Sequence, residues 1–188
     1  MSNKTGILLK TFLMIVSLIF TVTLSAQIKK TVKLVEAGSL SSALTIDEKL
    51  SITDIVIVGK IDLRDLDVLN EEIPNLAYLN MEQADIIKYR LESAVYAENE
   101  LPSETFMYNK SLKKVILPQS LKVIGYNSFM ESYVEEVVLG DNIIIINDGC
   151  FSNCERLKKI NIPSSVKQIG KDAFANNGTL KDELAVEE

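Results

Sequence analysis

Residues 101–117 read LPSETFMYNKSLKKVIL, residues 121–139 LKVIGYNSFMESYVEEVVL, residues 143–162 IIIINDGCFSNCERLKKINI and residues 166–185 VKQIGKDAFANNGTLKDELA. Laid beneath one another on Phe106, Phe129, Phe151 and Phe174, which are separated by 23, 22 and 23 residues, they return the same kinds of side chain at the same offsets. Self-similarity of this period marks a repeat architecture, in which one unit cannot close a core alone and buries its apolar face on the next. A repeat scaffold specifies a shape and leaves any ligand to its exposed positions, so the fold is readable here and the ligand is not.

Within a repeat the apolar positions name what is buried. Leu121, Ile124, Phe129, Val134, Val137 and Leu139 recur as Ile143, Ile146, Phe151, Leu157, Ile160 and Ile162, and then as Val166, Ile169, Phe174 and Leu180. Glu183 and Ala185 take the last two places, so the array is expected to end there. The spacing L-x-x-L-x-L ends in an alternating pair, which fits a short strand with one face inward. Stacked repeats then pair strand on strand, and each Phe packs between its counterparts.

Two runs carry a resemblance: Ser165 to Phe174, SVKQIGKDAF, and Cys150 to Pro163, CFSNCERLKKINIP. Strand, then Pro or Gly, then V-x-x-I-G, then A-F-x-N/G-C resembles the BspA-like subclass of leucine-rich repeat found in bacterial surface proteins. The likeness covers residues 101–182 well and residues 31–100 more loosely, where AGSLSSALTIDEKLSITDIVIVG is similar to the family's amino-terminal cap. It departs at Ser132, where the family often has Cys or Asn, and in the shortness of the array. The resemblance implies a right-handed leucine-rich repeat solenoid with a helical amino-terminal cap. It also implies bacterial export and a role in adhesion-type binding.

Residues 1–26 carry Lys4 and Lys10, an apolar run from Phe12 to Leu24 and Leu-Ser-Ala before Gln27, the pattern of an export signal. The competing reading is a retained anchor, since Thr11 to Ile28 is 18 residues without charge. Cleavage after Ala26 would leave 18 basic against 26 acidic residues, a net charge of −8, which disfavours nucleic acid as a partner. Membrane contact is then confined to the amino-terminal segment, if that is kept.

Residues 27–51 are expected to form the cap, with a strand over residues 31–36 and one helix from Ser39 to Leu50 carrying Leu40, Ala43, Leu44 and Leu50 on one face. Residues 52–100 hold two divergent repeats, marked by Ile52, Ile55 and Ile57 and, 24 residues on, by Leu76, Leu79 and Met81. Between them Asp62 caps a predicted helix from Leu63 to Ile73 that Pro74 ends. Leu76 to Leu112 is 36 residues, so about 13 are inserted, and Tyr89 to Glu100 reads as a loop or short helix able to carry binding residues. Residues 101–186 are the BspA-like repeats, about six rungs in all counting the two divergent ones.

Chemistry-bearing patterns are sparse. The chain has no His, which removes the commonest general base and metal ligand, and no phosphate loop or dinucleotide fingerprint appears. No catalytic, metal-binding or cofactor residue is therefore assigned, and no cofactor is expected; the reading is of a protein that is not an enzyme. Cys150 and Cys154, spaced C-x3-C, fit buried free thiols or, in an exported protein, a disulfide.

The outward strand positions carry most of what can be said about binding. One column up the sheet reads Asp54, Tyr78, Lys114, Glu136, Lys159 and Asp182, and its neighbour Lys113, Glu135 and Lys158; both alternate in sign, as a register-fixing ladder does. Beside them, Ile116 and Val138 form an apolar spot. Tyr78, Lys114, Ile116, Glu136 and Val138 are accordingly the candidate ligand-binding residues, with an extracellular protein or glycan as partner. The alternative is an accessory surface repeat domain without its own ligand.

Overall fold

The computed structural model describes residues 27–178 and Leu180; the amino-terminal segment and the expected rung around Asp182 lie outside the described residues. In chain order the elements are strand β1 (Lys29–Leu34), helices α1 (Leu40–Ala43) and α2 (Ile46–Ser51), β2 (Asp54–Ile61), α3 (Leu63–Asp67) running into a π turn (Val68–Glu72), and β3 (Tyr78–Ile86). A hairpin follows from β4 (Tyr89–Arg90) and β5 (Val95–Tyr96), and then short strands in alternation: β6 (Glu100–Leu101), β7 (Lys114–Ile116), β8 (Val123–Ile124), β9 (Glu136–Val138), β10 (Ile145–Ile146), β11 (Lys159–Ile160) and β12 (Gln168–Ile169).

These strands make two parallel sheets, ordered β1-β2-β3-β7-β9-β11 and β12-β10-β8-β6. The repeats of Phe106, Phe129 and Phe151 each give one strand to each sheet, and the Phe segment closes the rung between them. In the larger sheet Leu79, Val115 and Val137 pair side by side and point inward, all buried. The smaller sheet is built from the V-x-x-I-G segments and pairs Leu101, Ile124, Ile146 and Ile169. A Cβ on Gly125 would lie 2.6 Å from the Leu101 carbonyl oxygen and from the Ser103 nitrogen, so the residue ending this strand faces neighbouring backbone at a distance that only glycine permits.

The Phe column is the axis of the core. Phe106, Phe129 and Phe151 are fully buried, and ring centroids follow at 5.3, 5.1 and 5.2 Å up to Phe174. Each Phe is bracketed two residues before and after by left-handed backbone: Glu104 and Tyr108, Asn127 and Glu131, Gly149 and Asn153, Asp172 and Asn176. Cys154 Sγ donates to the Phe129 carbonyl, and Asn177 Nδ2 donates to that of Phe151, so the aligned position after Phe151 and after Phe174 ties each rung to the one before.

Four local expectations are corrected. The strand expected at residues 31–36 begins two residues earlier and is an edge strand of the larger sheet itself, paired with β2. Among the described residues, that strand brings the larger sheet to six. The single helix over Ser39–Leu50 is two helices: Thr45 stops the first and caps the second, accepting from the Glu48 amide while the Glu48 carboxylate accepts from the Thr45 amide. Leu40 and Leu44 are buried, but Leu50 is exposed. The helix after Asp62 is α-helical only to Asp67, and its π turn lies over buried Val68 and Leu69.

Asp62 does cap α3, and Asp65 does more than favour its first turn. Fully buried, Asp65 accepts from the amides of Asp62, Gly38 and Leu40, which fastens the β1–α1 turn onto the next rung. Cys150 and Cys154 are free and buried, the first of the two alternatives, and burial raises both thiols above their ordinary pKa.

Candidate functional site

The outward face of the larger sheet is a row-and-column surface whose register follows from the repeat length. In one row Lys29, Asp54, Tyr78, Lys114, Glu136 and Lys159 stand side by side; in the next but one, Thr31, Val56, Asn80, Ile116 and Val138 do so. All five candidate residues therefore fall in one block on β3, β7 and β9. Each is half-buried, since the strands on either side shield it while the face stays open to solvent.

Electrostatics within the block is largely internal. The Glu136 carboxylate accepts from Lys114 Nζ at 3.1 Å and Lys159 Nζ at 3.3 Å, and Lys158 Nζ meets Glu135 at 2.7 Å. Burial opposes ionisation of Glu136, but the two ammonium groups outweigh it and hold its pKa below the ordinary carboxylate value. For Glu135 the hydrogen bond from Lys158 is the main cause of a similar lowering. Of the ladder read from the sequence, the Lys114–Glu136–Lys159 and Glu135–Lys158 pairings are formed, Lys113 acts on Glu135 only through its charge, and Asp182 lies outside the described residues. Asn80 and Asn161 on this face are also engaged, with the Glu82 amide and with both backbone groups of Leu139.

The structure does not bring the inserted segment to this block. Tyr89 to Tyr96 form an antiparallel hairpin, with the two tyrosines stacked at 6.5 Å and a Leu91–Ala94 backbone turn, and a short turn then leads to Glu100 at the start of β6. It springs from the carboxy-terminal end of β3, whereas the block lies at that strand's start, and Arg64 packs over Tyr89 at 4.8 Å. The hairpin escaped the sequence reading because two-residue strands leave no room for alternation.

Two features were missed altogether. An open groove of about 970 Å³ runs along the strand starts, where Ile28, Thr53, Ala77 and Lys113 succeed one another, with Leu50 and Pro74 on its wall. Its lining comes from four separated segments, so no local motif announces it. Tyr133 is the second: Lys110 and Arg156 both lie over its ring, at 4.2 and 4.0 Å, in a column set by the repeat. Among the described residues no group of three or more His, Cys, Asp or Glu is placed to hold a metal ion. Nor is any helix among them long and apolar enough to cross a membrane.

Parallel strands at a fixed repeat, a buried Phe column and the two-sheet rung coincide with what comparison finds. The BspA type leucine-rich repeat region matches in 6 copies over residues 98–184. Residues 98–184 are a BspA-type leucine-rich repeat region. BspA-type repeats are binding modules as a rule, and their surfaces mediate interactions rather than catalysis. Among solved structures, a leucine-rich repeat protein from Bacteroides ovatus ATCC 8483 is similar with 19% identity and a TM-score of 0.46. That match covers 80% of this chain and 36% of the other. No curated protein matches the chain.

Proposed function

We propose that this chain is a non-catalytic binding module that works outside the cell, exported through residues 1–26. It is a right-handed superhelical solenoid whose residues 27–51 form the amino-terminal cap, and its ligand is an extracellular protein or glycan met in adhesion-type contact. One observation supports the reading most: strand register sets Tyr78, Lys114 and Glu136 in one row and Ile116 and Val138 two residues along. An aromatic, two aliphatics and hydrogen-bonding charges thus make one patch on a regular platform.

A second reading, an accessory repeat domain with no ligand of its own, is favoured by the same ladder, because Glu136 already satisfies Lys114 and Lys159. The two separate on arrays of extracellular proteins and glycans. The binding reading expects saturable capture by the native chain and its loss in the double variant Ile116→Asp and Val138→Asp with circular dichroism unchanged. Failure to capture anything saturable favours the accessory role, and unchanged capture by the folded double variant moves the site off the patch.

A further inference from the structure

Among the described residues the sheets end in β1 and β11 on the larger and in β6 and β12 on the smaller. The last three are each 2 residues long, whereas β1 is 6 residues long, pairs with β2 along its whole length and has no described strand on its other side. Natural sheets keep open edges short, because an unpaired row of amides and carbonyls templates pairing with another chain. Which groups face outward here follows from the ladder. The Ile28 carbonyl accepts from the Thr53 and Asp54 amides and so points at β2, and strand alternation then turns the amides and carbonyls of Lys29, Thr31 and Lys33 to the open side. The side chains of these three residues are exposed, while Val32 and Leu34 beside them are buried.

Charge decides what fits this edge. Lys30, Lys49, Lys114, Lys158 and Lys159 form the lysine ion pairs among the described residues, and neither Lys29 nor Lys33 joins them. The Asp54 carboxylate, in register with Lys29, accepts from Gln27 and Thr53, and Glu48 pairs with Lys30. A second copy of the chain is a poor cover: β11 of one copy on β1 of another sets Lys159 against Lys29 in the same row, and two β1 strands laid antiparallel set Lys29 against Lys33. Lysines that refuse a second copy accept a strand of opposite charge.

We propose that β1 is a docking edge for an acidic, extended segment of a partner protein, which adds to the larger sheet as a further parallel strand. Its carboxylates stand opposite Lys29 and Lys33, and its aliphatic side chains opposite Val32 and Leu34. Backbone hydrogen bonds to Lys29, Thr31 and Lys33 hold such a strand, and the alternation of acid and aliphatic selects it. The edge is distinct from the proposed ligand patch, which begins on β3 with β2 in between.

Amide chemical-shift titration of the full chain with two synthetic peptides, EVTVEV and KVTVKV, blocked at both ends, tests this. The acidic peptide should shift the amides of Lys29, Thr31 and Lys33 saturably, and the basic one should bind at least tenfold more weakly. In the double variant Lys29→Glu and Lys33→Glu, with circular dichroism unchanged, the order of the two peptides should reverse. N-methylation separates strand pairing from mere ionic attraction: methyl groups on alternate amides of EVTVEV should abolish binding in one phase and leave it intact in the other. Absence of a saturable shift at β1, equal affinity for the two peptides, an unchanged order in the double variant, or indifference to methylation in both phases would each overturn the proposal.

Discussion

Replacing Phe129 by alanine removes a ring with no exposed surface, held between Phe106 at 5.3 Å and Phe151 at 5.1 Å. Large-to-small changes of this kind cost about 3 to 5 kcal/mol, and two aromatic neighbours, worth about 0.5 to 1.5 kcal/mol each, place Phe129 in the upper part of that range. Phe174 has one ring neighbour among the described residues, at 5.2 Å, and is only partly covered. Its replacement forfeits one ring pair and leaves a smaller void, so the cost should be about half, roughly 1.5 to 2.5 kcal/mol. Urea denaturation of the two variants and the native chain measures the difference as shifts in midpoint at unchanged slope. Equal losses, or a negligible loss at Phe129, would refute the stacked column as the axis of stability.

Three further outcomes follow from the same geometry. Glu136→Lys would set three ammonium groups in one row, and a fall of about 1 to 2 kcal/mol that added salt partly restores is expected in melts at two ionic strengths. Gly125→Ala should cost about 1 to 3 kcal/mol, because its Cβ would meet Leu101 and Ser103 backbone at 2.6 Å, whereas Gly178→Ala, with nothing within 4 Å, should be close to neutral by the same assay. Glu48, Glu72, Glu135 and Glu136 all have pKa values lowered on folding by lysine partners, so their contribution is complete above the ordinary value of about 4.3 and is lost as pH falls through the lower folded values. Melting temperature should therefore drop between about pH 5 and pH 3, partly countered by Asp67, whose pKa burial raises.

The repeat made much of this legible. A side chain that returns every 22 or 23 residues must sit at one height in successive rungs, so aligning on Phe gave the inward set, the strand pairing and the sign of each ladder neighbour. What escaped lay where structure depends on one or two residues. Thr45-x-x-Glu48 is a capping box, and it broke a helix whose apolar spacing alone reads as continuous. Glu104, Tyr108 and Glu131 occupy left-handed backbone that their side chains do not advertise; only Gly149, Asp172 and the Asn residues of the same columns do. The second sheet was implicit in the constant offset of V-x-x-I-G, since strands equally spaced in sequence stack as surely as the Phe rings. The candidate patch was placed because it is a column of the repeat. The groove at the strand starts draws on Leu50 and Pro74, which belong to no column, and could be found only in three dimensions.

Amide chemical-shift mapping with the first saturable ligand recovered from the arrays tests the central claim most directly. The account predicts that the largest shifts cluster on the outward face of β3, β7 and β9, at Tyr78, Lys114, Ile116, Glu136 and Val138, with the inward Leu79, Val115 and Val137 following weakly. Shifts concentrated instead at Thr53, Ala77 and Lys113 in the groove, or at Tyr89 and Tyr96 in the hairpin, would contradict it.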